Sequence, residues 1–510
     1  MEPRADLPPL RVVRAPDRAL ASRERLAFNY RTGSVPSRQL VETVLANEAE
    51  PTFATAAYAE PRDWGYVGLY AFTAVLLLRP QDQITALRPL HLAEICALIG
   101  VAPMLLHRFA RRLPVFRVTP ETIGLLFFGL VILATVPFSI WPGGALTEFT
   151  DSYLKILLVF VLMMNTLTTP QRLERITWLI ILCVGYIAAR GVIDYARGIN
   201  MVENGRLRGA VSGIFGNPND LAMNMVTFMP AAAIVAISRQ QAAWRRLTAA
   251  GVVVLMLATI VFTKSRGGVV GLTVMLASFI VLGGKVRRGF GAIAVACILA
   301  ATPFMPASFW ARMQSMFDEQ QDRQQFTGSS EARRILMTEG ISTFIERPFT
   351  GVGAGQFKNY NPPGRRERWR ETHNALIQAA AETGVFGLFA FSFLIVRAAM
   401  AAAAARRMLS RPRKRHQPDL LASVLSARDR AILYNHTVAM TAGLIGWFVC
   451  SMFGSIAYNW TFYYVLALIS AAREMTRDRL VAAHVLAMPS RKPMSVPAAK
   501  FSRTVAPGVA

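Results

Sequence analysis

IGLLFFGLVILATVPFSI, residues 123–140, contains no charged side chain from end to end. As an α-helix rising 1.5 Å per residue it would be about 27 Å long, close to the hydrocarbon thickness of a bilayer. The runs 252–262 and 289–305 are equally apolar. Because only helices or closed barrels satisfy the backbone inside a membrane, this pattern predicts an all-α polytopic membrane protein.

The composition of the whole chain agrees with that fold class. Of its 510 residues, 53% are hydrophobic and only 17% are charged, whereas a soluble protein carries nearer a quarter charged residues. The net charge of +25 would also suit a nucleic-acid binder. However, the positive charges cluster between apolar runs, as topology signals do, so no nucleic-acid partner is expected.

The alternation of apolar and polar segments predicts about twelve transmembrane helices. They lie near 63–79, 90–106, 121–141, 152–168, 174–194, 219–238, 246–263, 267–284, 288–305, 373–398, 432–454 and 457–472. The chain then divides into an N-terminal tail expected to be disordered, nine helices, a large polar loop, three helices and a C-terminal tail. These parts are 1–60, 61–305, 306–372, 373–472 and 473–510.

The distribution of Lys and Arg predicts the orientation. Basic residues recur in the loops 108–117, 172–175, 239–246, 285–288 and 406–415, whereas the loop 143–152 carries Glu148 and Asp151 and no basic residue. Since cytoplasmic loops are the basic ones, both termini are expected in the cytoplasm. The loops 195–218 and 306–371 would then face outward.

The large outward loop is expected to be partly helical. Ser329-Ser330-Glu331 predicts a helix start, with an apolar face formed by Ile335, Leu336, Ile341 and Phe344. The stretch 350–355, TGVGAG, predicts a tight turn. Thr372 is a candidate cap for a helix that begins at His373 and continues into the membrane.

Four groups of residues on the outward side are candidates for chemistry. They are Arg206 and Arg208 before Gly216-Asn217-Pro218-Asn219, then Arg266, then Arg333 and Arg334, and finally His373-Asn374 with Glu382 and Gly384. Each has a structural alternative. Arginines at span ends often snorkel to lipid headgroups, Asn217 and Asn219 can form a turn and helix cap, and a lone His at a helix start is often a cap or surface residue.

The chemistry that would unite these groups is transfer from a diphosphate leaving group. Guanidinium groups bind phosphate oxygens in a bidentate manner and stabilise the charge that develops on a departing pyrophosphate. A neutral imidazole can accept the proton of an attacking hydroxyl. The sequence has no Asp-x-Asp pair, P-loop or GxGxxG unit, so neither a metal-bound nucleotide-sugar site nor a cofactor is expected.

The order of these motifs resembles the O-antigen ligase and polymerase superfamily of bacterial envelope glycan enzymes. The resemblance covers roughly residues 120–470 and rests on the ordered set Arg208, 216–219, Ser265-Arg266-Gly267-Gly268, 348–353, His373-Asn374 and Glu382-x-Gly384. It implies a GT-C-like, metal-independent glycosyltransferase of the bacterial inner membrane. Such an enzyme takes a glycan from undecaprenyl diphosphate at the periplasmic face and passes it to an acceptor hydroxyl.

The resemblance also implies roles for individual residues. His373, Arg266 and Arg208 would be catalytic, the two arginines holding the donor pyrophosphate and the histidine acting as base or positioning the acceptor. The expected substrate-binding residues are Arg206, Asn217, Asn219, Arg334 and Asn374.

Ligase activity, with lipid A–core as acceptor, is the leading hypothesis, and a polymerase acting on the growing glycan is the alternative. A polysaccharide transporter or flippase and a non-catalytic scaffold remain further possibilities. The large outward loop disfavours transport, and so does the lack of a repeat between the two halves.

Overall fold

The computed structural model describes residues 63–283, 302–315, 317–318, 329–410 and 419–487, and these form an almost entirely helical protein. The first six long helices are α1 (Trp64–Leu78), α2 (Leu92–Ala110), α3 (Pro120–Thr135), α4 (Leu154–Thr166), α5 (Pro170–Ala196) and α6 (Pro218–Ile237). They are followed by α7 (Ala243–Thr263), α8 (Arg266–Leu282), α9 (Ala307–Gln314), α10 (Ser329–Glu346), α11 (Ala375–Leu409), α12 (Ala427–Ser451) and α13 (Trp460–Ala487).

The helices follow the predicted apolar segments closely. Every predicted span coincides with a helix except 288–305, almost all of which lies outside the described residues. Within the described part of the chain, seven helices are long and apolar enough to cross a membrane. Helices α1, α4 and α8 have only 15, 13 and 17 residues, so the predicted number of twelve spans is not confirmed. The all-α, polytopic fold class is consistent with the structure.

Two helices run well beyond their predicted ends. Helix α11 continues to Leu409 instead of ending near 398, because the following run is almost all alanine, the best helix former. Helix α13 continues to Ala487 instead of ending at 472. There Arg473 donates to both carboxylate oxygens of the fully buried Glu121 at 2.7 Å, so its charge is neutralised inside the bundle.

Helix α6 lies at the centre of the bundle. It packs against α7, α8 and α12, and most of its side chains are buried. Helix α11 packs against α3, α10, α12 and α13. This arrangement brings the N-terminal ends of α6, α8 and α11 together with the loops that precede them.

The outward loops contain structure of their own. A short hairpin, β1 (Met201–Val202) with β2 (Arg206–Leu207), occupies the loop before α6 and was not predicted. Helix α10 begins at Ser329 as predicted, but its buried face consists of Ala332, Leu336, Gly340 and Thr343. The predicted face is therefore wrong in part.

Small residues are buried on α10 because it approaches α11 closely. A Cβ atom on Gly340 would lie 2.5 Å from a methyl group of Ile377. Ile341, which was predicted to be buried, is exposed.

Candidate active site

Four segments of chain line one cavity of about 590 Å³. They are the start of α8, the first three turns of α10, the turn before α11 and the connection between α12 and α13. Its polar and aromatic lining includes Arg266, Arg333, Arg334, His373, Asn374 and Phe453. Residues predicted to share a site, although more than one hundred positions apart in sequence, therefore meet around one space.

Arg266 is the first residue of α8 and is held in a fixed orientation. Ser265 caps the helix, its hydroxyl accepting from the Gly268 N–H at 3.2 Å. The buried Arg266 guanidinium donates to the Ser330 hydroxyl at 2.7 Å, to the Arg312 carbonyl oxygen at 3.2 Å and to the Ser315 hydroxyl. These neutral acceptors come from α9 and α10, so Arg266 links α8 to the large loop.

Arg206 approaches the same region from the hairpin. It donates to the Thr263 carbonyl oxygen at 3.1 Å and to the Asn219 side chain at 2.8 Å. Burial lowers the pKa of Arg206, and the neighbouring guanidinium groups of Arg312, Arg333 and Arg266 lower it further. Clustered guanidinium groups repel one another, and a bound anion would reduce this repulsion.

The two asparagines of the 216–219 motif have different roles. Asn217 caps α6 by accepting from the Asn219 and Asp220 N–H groups, each at 2.9 Å. The Asn219 side-chain oxygen accepts from Arg206 and from the Ser265 hydroxyl, the latter at 2.9 Å. Asn219 therefore joins the hairpin to the start of α8, where it positions the two arginines.

Arg208 is not brought to the cavity. Its side chain is exposed, its N–H donates to the Asn200 carbonyl at 3.0 Å, and it is not among the described residues that line the cavity. Arg206, its neighbour on the hairpin, lies nearer the other guanidinium groups. The predicted contact of Arg208 with pyrophosphate stays a prediction.

His373 sits in a left-handed turn with φ of +53°. Its N–H donates to the Ser455 hydroxyl at 2.9 Å, which ties this turn to the connection between α12 and α13. Asn374, and not Thr372, caps α11, which begins at Ala375 and not at His373. The Asn374 side chain accepts from the Leu376 and Ile377 N–H groups at 3.0 and 3.1 Å, and a cap with extended backbone geometry excludes His373 from the helix.

The imidazole of His373 is neutral at physiological pH. Partial burial lowers its pKa to about 4, and the positive charges of Arg333 and Arg370 contribute to the same shift. A neutral imidazole has one ring nitrogen free of protons, which is the form that accepts a proton.

The glycine turn, residues 350–355, packs directly against α11. Gly351, Gly353 and Gly355 all have positive φ values, as does Gly384 within α11. A Cβ atom on Gly384 would lie 2.5 Å from backbone atoms of Phe349. The Glu382 carboxylate accepts from the Gly355 and Phe357 N–H groups at 2.9 and 3.2 Å. Glu382 and Gly384 thus hold the turn that precedes the histidine segment.

Several contributors were missed in the sequence. Ser315 and Ser330 orient Arg266, Ser455 holds the His373 turn, and Met452 and Phe453 complete the wall of the cavity. These are common residue types in short connections, without a spacing that would mark them. Only Ser330 carried a signal, as part of the predicted start of α10.

Comparison with known families gives a match over the segment that supplies most of the residues lining this cavity. The sequence profile of the O-antigen ligase family matches residues 251–392. Residues 251–392 therefore carry the sequence pattern of the O-antigen ligase family. The match confirms the resemblance to the O-antigen ligase and polymerase superfamily, and it includes Arg266, Arg334 and His373. No curated protein matches the chain.

The O-antigen ligase match and the apolar helices together define the general class. The protein is an integral membrane protein with an O-antigen ligase or polymerase type of function, and it is a glycosyltransferase-like enzyme of envelope glycan assembly. The matched residues extend from α7 to the middle of α11. Arg206, Asn217 and Asn219 lie before the matched segment and join it through their contacts with α8.

Proposed function

We propose that the protein is an O-antigen ligase that transfers a glycan from undecaprenyl diphosphate to a hydroxyl of lipid A–core. The observation that supports this is the cavity shared by Arg266, Arg333, Arg334 and His373. Three guanidinium groups suit a diphosphate, and one neutral imidazole suits a hydroxyl that must lose its proton.

The arginines hold the donor. The diphosphate of the lipid carrier enters between α8 and α10, where Arg266 and Arg334 bind its oxygens and Arg206 adds positive charge from the hairpin. Asn219 keeps Arg206 in place, and Asn217 supports it as the cap of α6. Arg208, exposed on the same loop, is assigned to the glycan side of the donor pyrophosphate.

Transfer then proceeds by displacement at the anomeric carbon. The oxygen of the acceptor hydroxyl forms a bond to this carbon, and the bond between the carbon and the diphosphate oxygen breaks. The electron pair leaves with undecaprenyl diphosphate, whose growing charge the arginines stabilise. The hydroxyl proton passes to the neutral imidazole of His373, and Asn374 fixes the turn that carries it. No metal takes part in this scheme.

Gene disruption separates ligase from polymerase. Loss of polymer-bearing lipopolysaccharide, with lipid-linked polymer retained, is expected for a ligase. Short, single-repeat glycans on lipopolysaccharide would instead identify a polymerase. Transfer by the purified protein from a lipid-diphosphate oligosaccharide, with and without EDTA, tests the metal independence, and full activity in EDTA is expected.

The proposed location is the inner membrane, with both termini cytoplasmic and the cavity periplasmic. Basic loops on one side and the acidic loop 143–152 on the other support this orientation. Alkaline phosphatase fused after Tyr360 should be active, and a fusion within 239–246 should be inactive. The reverse pattern would place the cavity in the cytoplasm and would rule out a periplasmic donor.

A further inference from the structure

A second cavity, of about 190 Å³, borders the same short segment as the first. Three carboxylates line it, those of Glu148, Glu371 and Glu382, together with Lys358 and the side chain of Asn459. Within three residues, from Glu371 to His373, the chain passes from the wall of this cavity to the wall of the first. Ser455, which holds the His373 turn, also lines the second cavity.

One polar group in this cavity is buried without a partner. Tyr458 is only 6% exposed, and its hydroxyl lies near the Glu382 carboxyl group but completes no hydrogen bond of good geometry within the described part of the chain. The ring itself is held in place, since it stacks on Phe128 with centroids 6.0 Å apart. A buried hydroxyl left unsatisfied costs free energy, so an occupant that hydrogen-bonds to it would be favoured.

We propose that the second cavity binds one sugar ring of the acceptor through its hydroxyl groups. This assignment rests on the proposed transfer reaction and adds the acceptor site to it. Hydroxyl groups both donate and accept, which matches a lining of carboxylate and amide oxygens beside the donors Tyr458 and Lys358. The volume corresponds to roughly six water molecules at about 30 Å³ each, which is comparable to a single sugar ring.

The charge of the lining favours a neutral ligand over a phosphate or a metal ion. A phosphate would face three carboxyl groups and one cation, Lys358, whereas three arginines line the first cavity, so the donor diphosphate is directed there. A metal ion is disfavoured as well, since no three acidic, His or Cys side chains among the described residues are arranged to hold one. The two cavities therefore separate an anionic donor from an uncharged acceptor sugar, and the short segment from Glu371 to His373 joins their walls.

The test uses the full-length protein and a pair of variants, each of which lacks one hydroxyl group of the wild type. Tyr458→Phe removes the unpartnered hydroxyl and keeps the stacked ring. Tyr186→Phe removes an exposed hydroxyl that donates to Gln83 and is the matched control. The probe is soluble, deacylated lipid A–core oligosaccharide, measured by binding to the purified protein and as acceptor in the transfer assay.

Tyr458→Phe is expected to weaken oligosaccharide binding and raise the acceptor KM by about two- to tenfold, with the donor KM unchanged. Glu371→Gln should also raise the acceptor KM, while Tyr186→Phe should have no effect. Unchanged acceptor KM and binding in Tyr458→Phe would overturn the site and leave the proposed function intact. Binding by the wild type that needs Mg²⁺ or Ca²⁺, or no binding at all, would also overturn it.

The same measurements identify a failure of the proposed function separately. If the wild type binds the oligosaccharide in a manner that depends on Tyr458 but transfers no glycan, the sugar site stands and the transfer reaction does not.

Discussion

At the scale of single residues, Arg266 both links α8 to the large loop and lines the cavity, which a lysine could not do with its single ammonium group. Its guanidinium donates to three oxygen atoms from α9 and α10 while it lines the cavity. Arg266→Ala should reduce glycan transfer at least about a hundredfold, since charged hydrogen bonds contribute about 1.5–3 kcal/mol each. Arg266→Lys should restore little activity, because an ammonium group lacks the planar fork.

The control for this prediction is Arg239→Lys, a substitution in the basic loop after α6 and away from the cavity. It should leave the rate of transfer from the lipid-linked donor unchanged. Membrane expression and thermal stability of each variant show whether the fold survives. Normal transfer by Arg266→Ala in a stable protein would contradict its assignment to the donor site.

The pKa of His373 predicts how the transfer rate depends on pH. With a pKa of about 4, its imidazole stays neutral in the free enzyme until the pH falls close to that value. The acid limb of kcat/KM should therefore lie near pH 4, well below the ordinary value of 6.5 for a histidine. His373→Ala should abolish transfer, and His484→Gln, at an exposed histidine of α13, should leave the profile unchanged. An acid limb near pH 6.5 would show that the arginines and burial do not act on this imidazole.

At the scale of elements, the sequence predicted the helices well and their caps less well. Apolar runs set the position of nearly every helix because burial in lipid or in the bundle requires a continuous apolar face. The start of α11 was misplaced because Thr372 and Asn374 are both good caps, and only the fold decides which one has extended backbone geometry. The buried face of α10 was misjudged because close packing with α11 selects small residues over large ones.

The junction of the glycine turn with α11 gives a prediction at this scale. Gly384→Ala should destabilise the protein, because the new methyl group would clash with the Phe349 backbone at a position of positive φ. The free energy of unfolding is expected to fall by about 1–3 kcal/mol. The melting temperature and the transfer activity should fall with it.

Gly251→Ala is the matched control, since a Cβ atom there would meet nothing within 4 Å and the residue lies inside α7. It should be neutral or slightly stabilising, because alanine favours helices over glycine by up to about 1 kcal/mol. Equal melting temperatures for the two variants would show that the turn does not need close contact with α11.

At the scale of the whole molecule, the sequence predicted that distant segments meet at one site, but it did not predict which arginine of the hairpin approaches that site. Topology alone places the starts of α8 and α11 on one side of the membrane, so Arg266 and His373 could be expected to meet there. The exposure of Arg208 and the partial burial of Arg206 could not be read from the sequence. They depend on how the hairpin meets Thr263 and Asn219, a tertiary contact that no local pattern encodes.

The opposite end of the bundle is fastened by buried charges. Glu121 at the start of α3 is fully buried, with Arg397 of α11 at 2.9 Å and Arg473 of α13 at 2.7 Å. Removing one partner of a buried ion pair leaves the other charge uncompensated, which costs about 3–5 kcal/mol. The Glu121 carboxylate therefore links three helices, one of which carries the His373 turn at its other end.

Glu121→Gln should lower the melting temperature, because Arg397 would lose its carboxylate partner and Arg473 would keep only its pair with the buried Glu474 at 2.9 Å. Glu94→Gln, which breaks an exposed pair with Lys155 at 2.6 Å, should cost less than about 1 kcal/mol. Thermal unfolding of the purified variants in detergent measures the difference. A Glu121→Gln protein as stable as the Glu94→Gln protein would mean that other contacts align α3, α11 and α13. If the carboxylate does fasten them, partial loss of transfer should accompany the lower stability, since α11 would no longer hold its N-terminal turn against the cavity.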